Sequence, residues 1–423
     1  MNTAKLPVVM QALPRWDGKY ASTSLNLAKE LSKERRVFYC DHPFTYKDLF
    51  TGKTRQDIRF RKPIWAGKSS PVYQPFADFP NLSVVSPAPT LVINFLPKSV
   101  LYDLAENFVN RHIWKTLNRV LSAQGISKFI YINSFDPCFS RIYTPFEVAL
   151  KVYHSVDNIA GERYIARHGV RREQEFAKIA DLTISTSLAL TEKLRALNPK
   201  SHFVPNAADY ALFSRPCAGE PKAFEKIPKP RVLYMGNIGL RIDYDALEDL
   251  AKNHPEWQLV FVGPKDPREF RGQALEALPN VWFLGAKPYA ELPDYAHAAD
   301  VCLIPFIPND LTKFIYPLKI NEYLGTGKPV VTSRFADLTE FETTVQIYES
   351  PEMLYDAIMQ AVKENSPEKE AARKKVASAN TWEERGKRFD KILEDGLRER
   401  SQIEKSQLKK DAHGQKNSER KKI

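Results

Sequence analysis

A chain of 423 residues exceeds one ordinary hydrophobic core and suits two domains with additions. Its 43% hydrophobic content excludes disorder throughout, and no apolar run approaches the roughly 18 residues that span a bilayer. The net charge of +11 asks for an anionic partner; with no zinc-finger spacing, RNP-type aromatic strand or dense basic recognition helix, nucleic acid is not expected, which leaves nucleotide sugars and phospholipid surfaces.

Taken in chain order, strand-like runs alternate with helical periods, the pattern of parallel α/β sheets. The N-terminal LPVVMQAL is too short for a signal sequence and reads as a first strand, Leu6–Leu13. A loop, Pro14–Ser22, leads into a helix over Ser22–Glu34 and a strand over Arg36–Cys40. Lys53–Lys68 reads as a loop in which basic residues interleave with Ile58, Phe60, Ile64 and Trp65, a composition that suits either a solvated excursion or docking to an anionic membrane surface. Further strands are predicted at Leu82–Ser86, Lys128–Ile132, Val148–His154 and Leu182–Ser185. The stretch 207–230 is rich in Pro, Gly and charge and reads as a linker. The pattern restarts with strand Arg231–Met235, helix Tyr244–Asn253, and strands Gln258–Val262, Val281–Leu284, Val301–Pro305 and Pro329–Thr332. Near the end, Thr381–Leu397 places Trp382, Phe389, Ile392 and Leu393 largely on one helical face. Residues 398–423 are basic and almost without apolar side chains, and are expected to form a frayed or disordered tail.

Four cysteines, Cys40, Cys138, Cys217 and Cys302, show no metal-ligand or redox spacing. Cys40 and Cys302 lie in apolar runs as core thiols, which favours a reducing, cytoplasmic setting. No paired carboxylates, Ser/His/Asp arrangement or Asp-x-Asp metal pair stands out, so neither hydrolase chemistry nor a metal or other cofactor is expected.

The most informative segment is Tyr316–Thr332, YPLKINEYLGTGKPVVT. Pro317 suits a first helical turn, because its missing N–H has no intrahelical partner there anyway. The amides of Leu318, Lys319 and Ile320 then point out of a helix N-terminus, where an anion is favoured. Glu322, one turn on, places a carboxylate beside that anion, where ribose hydroxyls can donate to it. Taken alone, helix–Gly–Pro–Val–Val is also how any α/β domain turns into a buried strand.

In sequence, order and position this segment resembles the donor-binding motif of the large retaining glycosyltransferase family with the GT-B fold, most of all the bacterial enzymes of cell-surface polysaccharide synthesis. Other segments match in the expected order. Val232–Asp243, VLYMGNIGLRID, resembles the strand and loop that open the family's second domain, which implies that Gly236, Asn237 and Arg241 hold the donor diphosphate; Arg can bind phosphate oxygens bidentately. HFVPNAADYALF, over residues 202–213, resembles the segment at the family's domain hinge. VYHSVDN, over 152–158, brings His154 to a strand end, where the resemblance implies a histidine facing the donor sugar and diphosphate, oriented by Asp157. A lone His is more often a satisfied core or surface residue. In the Pro14–Ser22 loop, Gly18 and Lys19 are candidates for the acceptor side, since loops at the carboxyl ends of parallel strands bind ligands. One departure stands out: the family's first motif glutamate falls on Phe314, with Asn309 and Asp310 nearby as substitutes.

The resemblance implies an α/β GT-B fold: two Rossmann-like domains whose parallel sheets face an interdomain cleft, and a C-terminal helix crossing back. The corresponding segments are an acceptor-side domain 1–206, linker 207–230, nucleotide-sugar domain 231–375, returning helix 376–397 and tail 398–423. It implies transfer of a sugar from a nucleotide-sugar donor to a saccharide or lipid-linked saccharide hydroxyl, with retention; the missing Asp-x-Asp pair adds the expectation of metal independence, and the basic loop that of a cytoplasmic protein peripheral at the inner face of the cell membrane. A non-catalytic nucleotide-sugar-binding subunit and a GT-B epimerase are the alternatives.

Overall fold

The computed structural model describes residues 5–18, 22–51, 55–161, 165–217 and 219–420, with 407–420 as backbone alone. The chain divides into two compact units, the first comprising Met1–Thr186, Leu190–Val204 and Gly386–Ile423, the second Ser187–Ala189 and Pro205–Arg385. Lys19 lies outside the described residues.

In the first unit the strands are β1 (Val8–Ala12), β2 (Val37–Cys40), β3 (Val72–Tyr73), β4 (Leu82–Val85), β5 (Lys128–Ser134), β6 (Glu147–Ser155), β7 (Leu182–Ser185) and β8 (Ser201–Phe203). Among the described residues they form one eight-stranded sheet in the order β3-β4-β2-β1-β5-β6-β7-β8. Only the β3–β4 pair is antiparallel. Every residue of β1, β2 and β7 is buried, as parallel strands covered on both faces must be, and this is why they read as unbroken apolar runs. Strand order reverses between β1 and β5, which pair from Val8↔Ile130 to Ala12↔Ser134.

Helix Thr23–Ser32 starts where expected, with the Ser22 hydroxyl accepting from the Leu25 amide. Helix Val100–Ala123 covers the sheet with Tyr102, Val109, Ile113, Trp114 and Leu117. Its outer stripe is apolar at Val100, Leu101, Leu104 and Phe108 and turns cationic at the exposed Arg111, Lys115 and Arg119. The helix from Trp382 runs to Arg420, and from Gly386 onward it belongs to the first unit. Arg35 fixes it through Asp390 at 2.5 Å and Glu394 at 2.6 Å. Gly396 lets it press close to the sheet, since a Cβ there would sit 2.7 Å from Leu182 Cδ2.

The structure departs from three expectations. The backbone of 398–420 continues the helix rather than fraying. Of the segment Lys53–Lys68, Lys53 and Thr54 lie outside the described residues and the rest is not a free loop: Gln56–Trp65 is helical, Ile58 is buried, and Arg61 turns inward to Asp17 and Asp41 at 2.6 and 2.8 Å. Residues 207–230 are not an open linker either, because Ala207, Ala208, Phe213, Phe224 and Ile227 are buried. Cys138 joins Cys40 and Cys302 as a buried thiol, and Cys217 is exposed.

The second unit holds β9 (Arg231–Met235), β10 (Gln258–Val262), β11 (Val281–Phe283), β12 (Val301–Ile304), β13 (Val330–Ser333) and β14 (Gln346–Tyr348). They form a wholly parallel sheet ordered β11-β10-β9-β12-β13-β14, reversing between β9 and β12. Loops beyond the carboxyl ends of the strands at such a reversal are where open α/β sheets take ligands.

Candidate functional site

Beyond β9 and β10 the backbone turns on two glycines. Gly236 has φ +139° and Gly263 φ +155°, and a Cβ on Gly263 would lie 1.8 Å from the Gly236 carbonyl oxygen. No side chain fits there, so the two turns pack backbone to backbone, with the Gly236 amide donating to Val262 O at 2.9 Å. The Tyr234 hydroxyl closes the first turn by donating to Asn237 O at 2.9 Å, and Asn237 itself is exposed.

Helix Leu318–Thr326 brings the remaining groups to these turns. Pro317 caps it rather than opening its first turn, and Gly327 ends it with φ +80°. The Met235 amide donates to the Tyr323 hydroxyl at 2.7 Å, which pins the helix to the end of β9. The Ile320 amide is already used, donating to Pro317 O at 3.1 Å. Lys319 extends over Gly236, where a Cβ would meet its Cε at 2.2 Å and its Nζ at 2.8 Å. Its ammonium stands 5.7 Å from the ring centres of both Tyr234 and Phe306. Burial lowers its pKa; the Glu322 carboxylate acts against that, and the Arg241 charge adds to it. Lys319, Arg241 and Glu322 are therefore electrostatic neighbours, two cations and an anion beside a bare glycine turn.

Glu322 accepts a hydrogen bond from the Tyr289 hydroxyl at 3.0 Å. Burial raises its pKa, and Lys319 draws it back down. Tyr289 packs edge-on against Phe213, with ring centres 5.7 Å apart. The backbone of helix Tyr210–Phe213 and that of Leu318–Thr326 approach closely at Gly325, where a Cβ would lie 3.0 Å from Phe213 Cβ. The segment read as a hinge thus builds a wall of this site within the second unit. Sequence reasoning missed Tyr289, because no local pattern links it to a carboxylate 33 positions on. It also missed Gly263, whose only signal is a glycine directly after a buried strand.

Phe314 sits in a short 3₁₀ turn with the Lys313 ammonium 5.2 Å over its ring. Asn309 is spent on its own loop, accepting from the amides of Leu311 and Thr312 at 2.9 and 3.0 Å. Asp310 is exposed and paired with Lys313.

In the first unit, the expectation that His154 faces a ligand is not met. It is wholly buried within β6, bonded through Nδ1 to Ser134 Oγ at 2.8 Å and set edge-on to Phe389 at 5.3 Å. Burial lowers its pKa to about 3. Asp157 is half-buried and accepts from the Asn158 amide at 2.7 Å. Gly18 is exposed in its loop. Among the described residues no three His, Cys, Asp or Glu side chains are grouped to hold a metal ion.

Residues 229–364 match the family of glycosyl transferases group 1. A Bacillus subtilis (strain 168) protein named as the teichuronic acid biosynthesis glycosyltransferase TuaH is 29% identical over 153 residues, a match that covers 36% of this chain and 38% of that relative. Among solved structures, sucrose-phosphate synthase from Thermosynechococcus elongatus superposes with a TM-score of 0.63 at 16% identity, over 92% of this chain and 99% of that one. The α,α-trehalose 6-phosphate synthase of Burkholderia multivorans gives 0.62 at 11%, over 93% and 99%. Anabaena HepE in complex with UDP-glucose gives 0.61 at 14%, over 92% and 100%. These likenesses show the GT-B fold.

Proposed function

We propose that this protein, a GT-B chain whose residues 229–364 belong to glycosyl transferases group 1, is a glycosyltransferase of bacterial cell-surface polysaccharide or glycolipid synthesis. It moves a sugar from a nucleotide-sugar donor to an acceptor hydroxyl. The observation that carries this reading is the placing of Lys319 over Gly236 with Glu322 one turn further along the same helix. Bare glycine turns let a diphosphate approach the backbone, with Gly236 and Asn237 at its edge and the amides of Leu318 and Lys319 at the helix start. Lys319 and Arg241 supply positive charge against the negative charge that a departing diphosphate gains. Glu322, already accepting from Tyr289, takes the ribose hydroxyls. The Anabaena relative bound to UDP-glucose favours a uridine diphosphate sugar. Gly18, Lys19 and Asp157 are assigned to the acceptor side.

A melting-temperature screen with UDP, GDP, dTDP and CMP tests the donor site. The expected result is a shift with UDP that is reduced in Glu322→Ala; no shift with any nucleotide removes the site. Tight binding without sugar release from any donor would favour a binding subunit, the reading that Phe314 in place of a glutamate supports.

The proposal includes an anionic membrane surface as partner. Among the described residues no helix is long and apolar enough to cross a membrane. The outer stripe of helix Val100–Ala123 supports docking instead: Leu104 is 61% and Phe108 62% exposed, and Arg111, Lys115 and Arg119 continue the stripe as cations. An interfacial helix needs that division, apolar groups for the acyl boundary and cations for lipid phosphates.

A further inference from the structure

Along helix Val100–Ala123, Leu104, Phe108, Arg111, Lys115 and Arg119 follow one another at spacings of four and three, so they share one face. Arg119, the last cation of that stripe, also lines a cavity of about 510 Å³ within the first unit. Thr116 lines it from the same helix, and Trp65, Lys68, Ser69 and Ser70 line it from the segment that follows helix Gln56–Trp65 or ends it.

That second wall is firmly built. Gly67, with φ +72°, turns the chain back after the helix. The turn closes as the Gly67 amide donates to Ile64 O at 3.0 Å and the Lys68 amide to Pro63 O at 2.9 Å. Trp65 donates from Nε1 to Pro87 O at 3.1 Å and sets its ring edge-on to Phe44, with centres 5.5 Å apart. The Ser86 amide then holds the chain by donating to Pro71 O at 2.9 Å. Between these anchors Lys68, Ser69 and Ser70 remain exposed.

The charge of the cavity is one-sided. No carboxylate lines it, and among the described residues neither Lys68 nor Arg119 is paired with one. Other cations of the basic segment are spent: Arg55 on Asp57, and Arg61 on Asp17 and Asp41. The larger cavity of about 840 Å³ along the last helix differs, because Asp181 and Glu399 stand in its lining and hold Arg400 and Lys200. Two unpaired cations and the hydroxyls of Ser69, Ser70 and Thr116 around an acid-free void suit an anion rich in acceptor oxygens, which a phosphate is. The void has the size of a ligand pocket, with room for more than a bare phosphate, and an indole such as that of Trp65 suits the headgroup level of a membrane.

We propose that this cavity takes the headgroup phosphate of an anionic membrane lipid, with Lys68 and Arg119 on its oxygens. The inference rests on the membrane partner proposed above and is independent of the donor site. The phosphate comes from a lipid rather than from a soluble molecule, because the stripe runs on from Arg119 through Lys115 and Arg111 to the exposed Phe108 and Leu104. A soluble ligand has no use for those apolar groups, whereas an acyl boundary does. The stripe by itself senses only surface charge; the cavity adds recognition of the phosphate.

The test is co-sedimentation of the full chain with vesicles of digalactosyl diacylglycerol, a phosphate-free matrix. These carry either phosphatidylglycerol or cholesteryl hemisuccinate, at equal measured surface potential. Phosphatidylglycerol vesicles are expected to bind about 10-fold more tightly, the scale of one to two charge-assisted contacts. Lys68→Gln with Arg119→Gln is expected to remove that preference at an unchanged melting temperature, since both side chains are exposed. Lys363→Gln with Lys375→Gln, which lowers the net charge equally, is expected to keep it. Equal binding to the two anionic vesicles, or a preference that survives in Lys68→Gln with Arg119→Gln, overturns the cavity and leaves the stripe. A melting shift with millimolar glycerol 3-phosphate, without the vesicle preference, overturns the lipid as source. No binding to either vesicle removes the membrane partner and this site together, while the UDP shift reports on the donor site separately.

Discussion

The ammonium arm of Lys319 occupies the space that a side chain at Gly236 would need, with only 2.2 Å between Lys319 Cε and the position of a Cβ. A cation over a side-chain-free turn is a device for bringing charge and backbone to one anionic group. Gly236→Ala is therefore expected to displace Lys319 and to strain a backbone at φ +139°, at about 1–3 kcal/mol of stability. Urea denaturation would read that loss, and calorimetry a weakened UDP affinity. Unchanged affinity would separate the lysine from the phosphate.

Glu322 and Arg241 are expected to divide the nucleotide between them. Glu322→Ala should weaken UDP binding by about 1–3 kcal/mol, because ribose hydroxyls and Tyr289 lose their acceptor. Arg241→Ala should reduce turnover more than nucleoside affinity. If both variants bind and turn over as the wild type does, the donor lies elsewhere.

His154 gives the acid limb of stability a defined slope. Its pKa is depressed from 6.5 to about 3 by burial, so below 6.5 the unfolded chain takes a proton that the native state refuses. Stability from this group is full above pH 6.5 and falls as pH drops towards 3, by about 1.4 kcal/mol per pH unit. In His154→Asn, urea midpoints measured across that window should lose about this much of their pH dependence. An identical acid limb in both proteins would mean that His154 can charge in place.

For the membrane surface, co-sedimentation with vesicles containing anionic lipid should rise with anionic content and fall with salt. Leu104→Glu together with Phe108→Glu should abolish it while leaving the fold intact, since both side chains are exposed. Binding that survives the pair would place the contact on another face.

The sequence made the central strands legible because burial on both faces leaves a plain record. Leu182–Ser185 and Gln258–Val262 are apolar or neutral runs with the observed bounds, and Arg231–Met235 is apolar after its first residue. Three edge strands, Val72–Tyr73, Ser201–Phe203 and Gln346–Tyr348, were not, being two or three residues long and only partly buried, whereas the edge strand Val281–Phe283, equally short, is apolar throughout and was legible. Arg61 shows a second limit: a guanidinium reads as surface until Asp17 and Asp41, distant in sequence, turn it inward. Lys319 and Glu322 share one helical turn and could be found together, whereas Tyr289 meets Glu322 only through the fold. The left-handed backbone of Phe135, at φ +57°, leaves no trace at all, for nothing in the residue type announces it.

The first unit is made of the early part of the chain and of the last helix from Gly386 onward, with the second unit between them in sequence. During synthesis, the residues of the second unit have all been joined before Phe389, Asp390 and Glu394 are added. Until they do, His154 lacks the ring packed against it and Arg35 lacks both of its carboxylates. The unit whose strands are made first is thus the last to be finished, and a chain released at residue 385 would carry a complete second unit and an open first one.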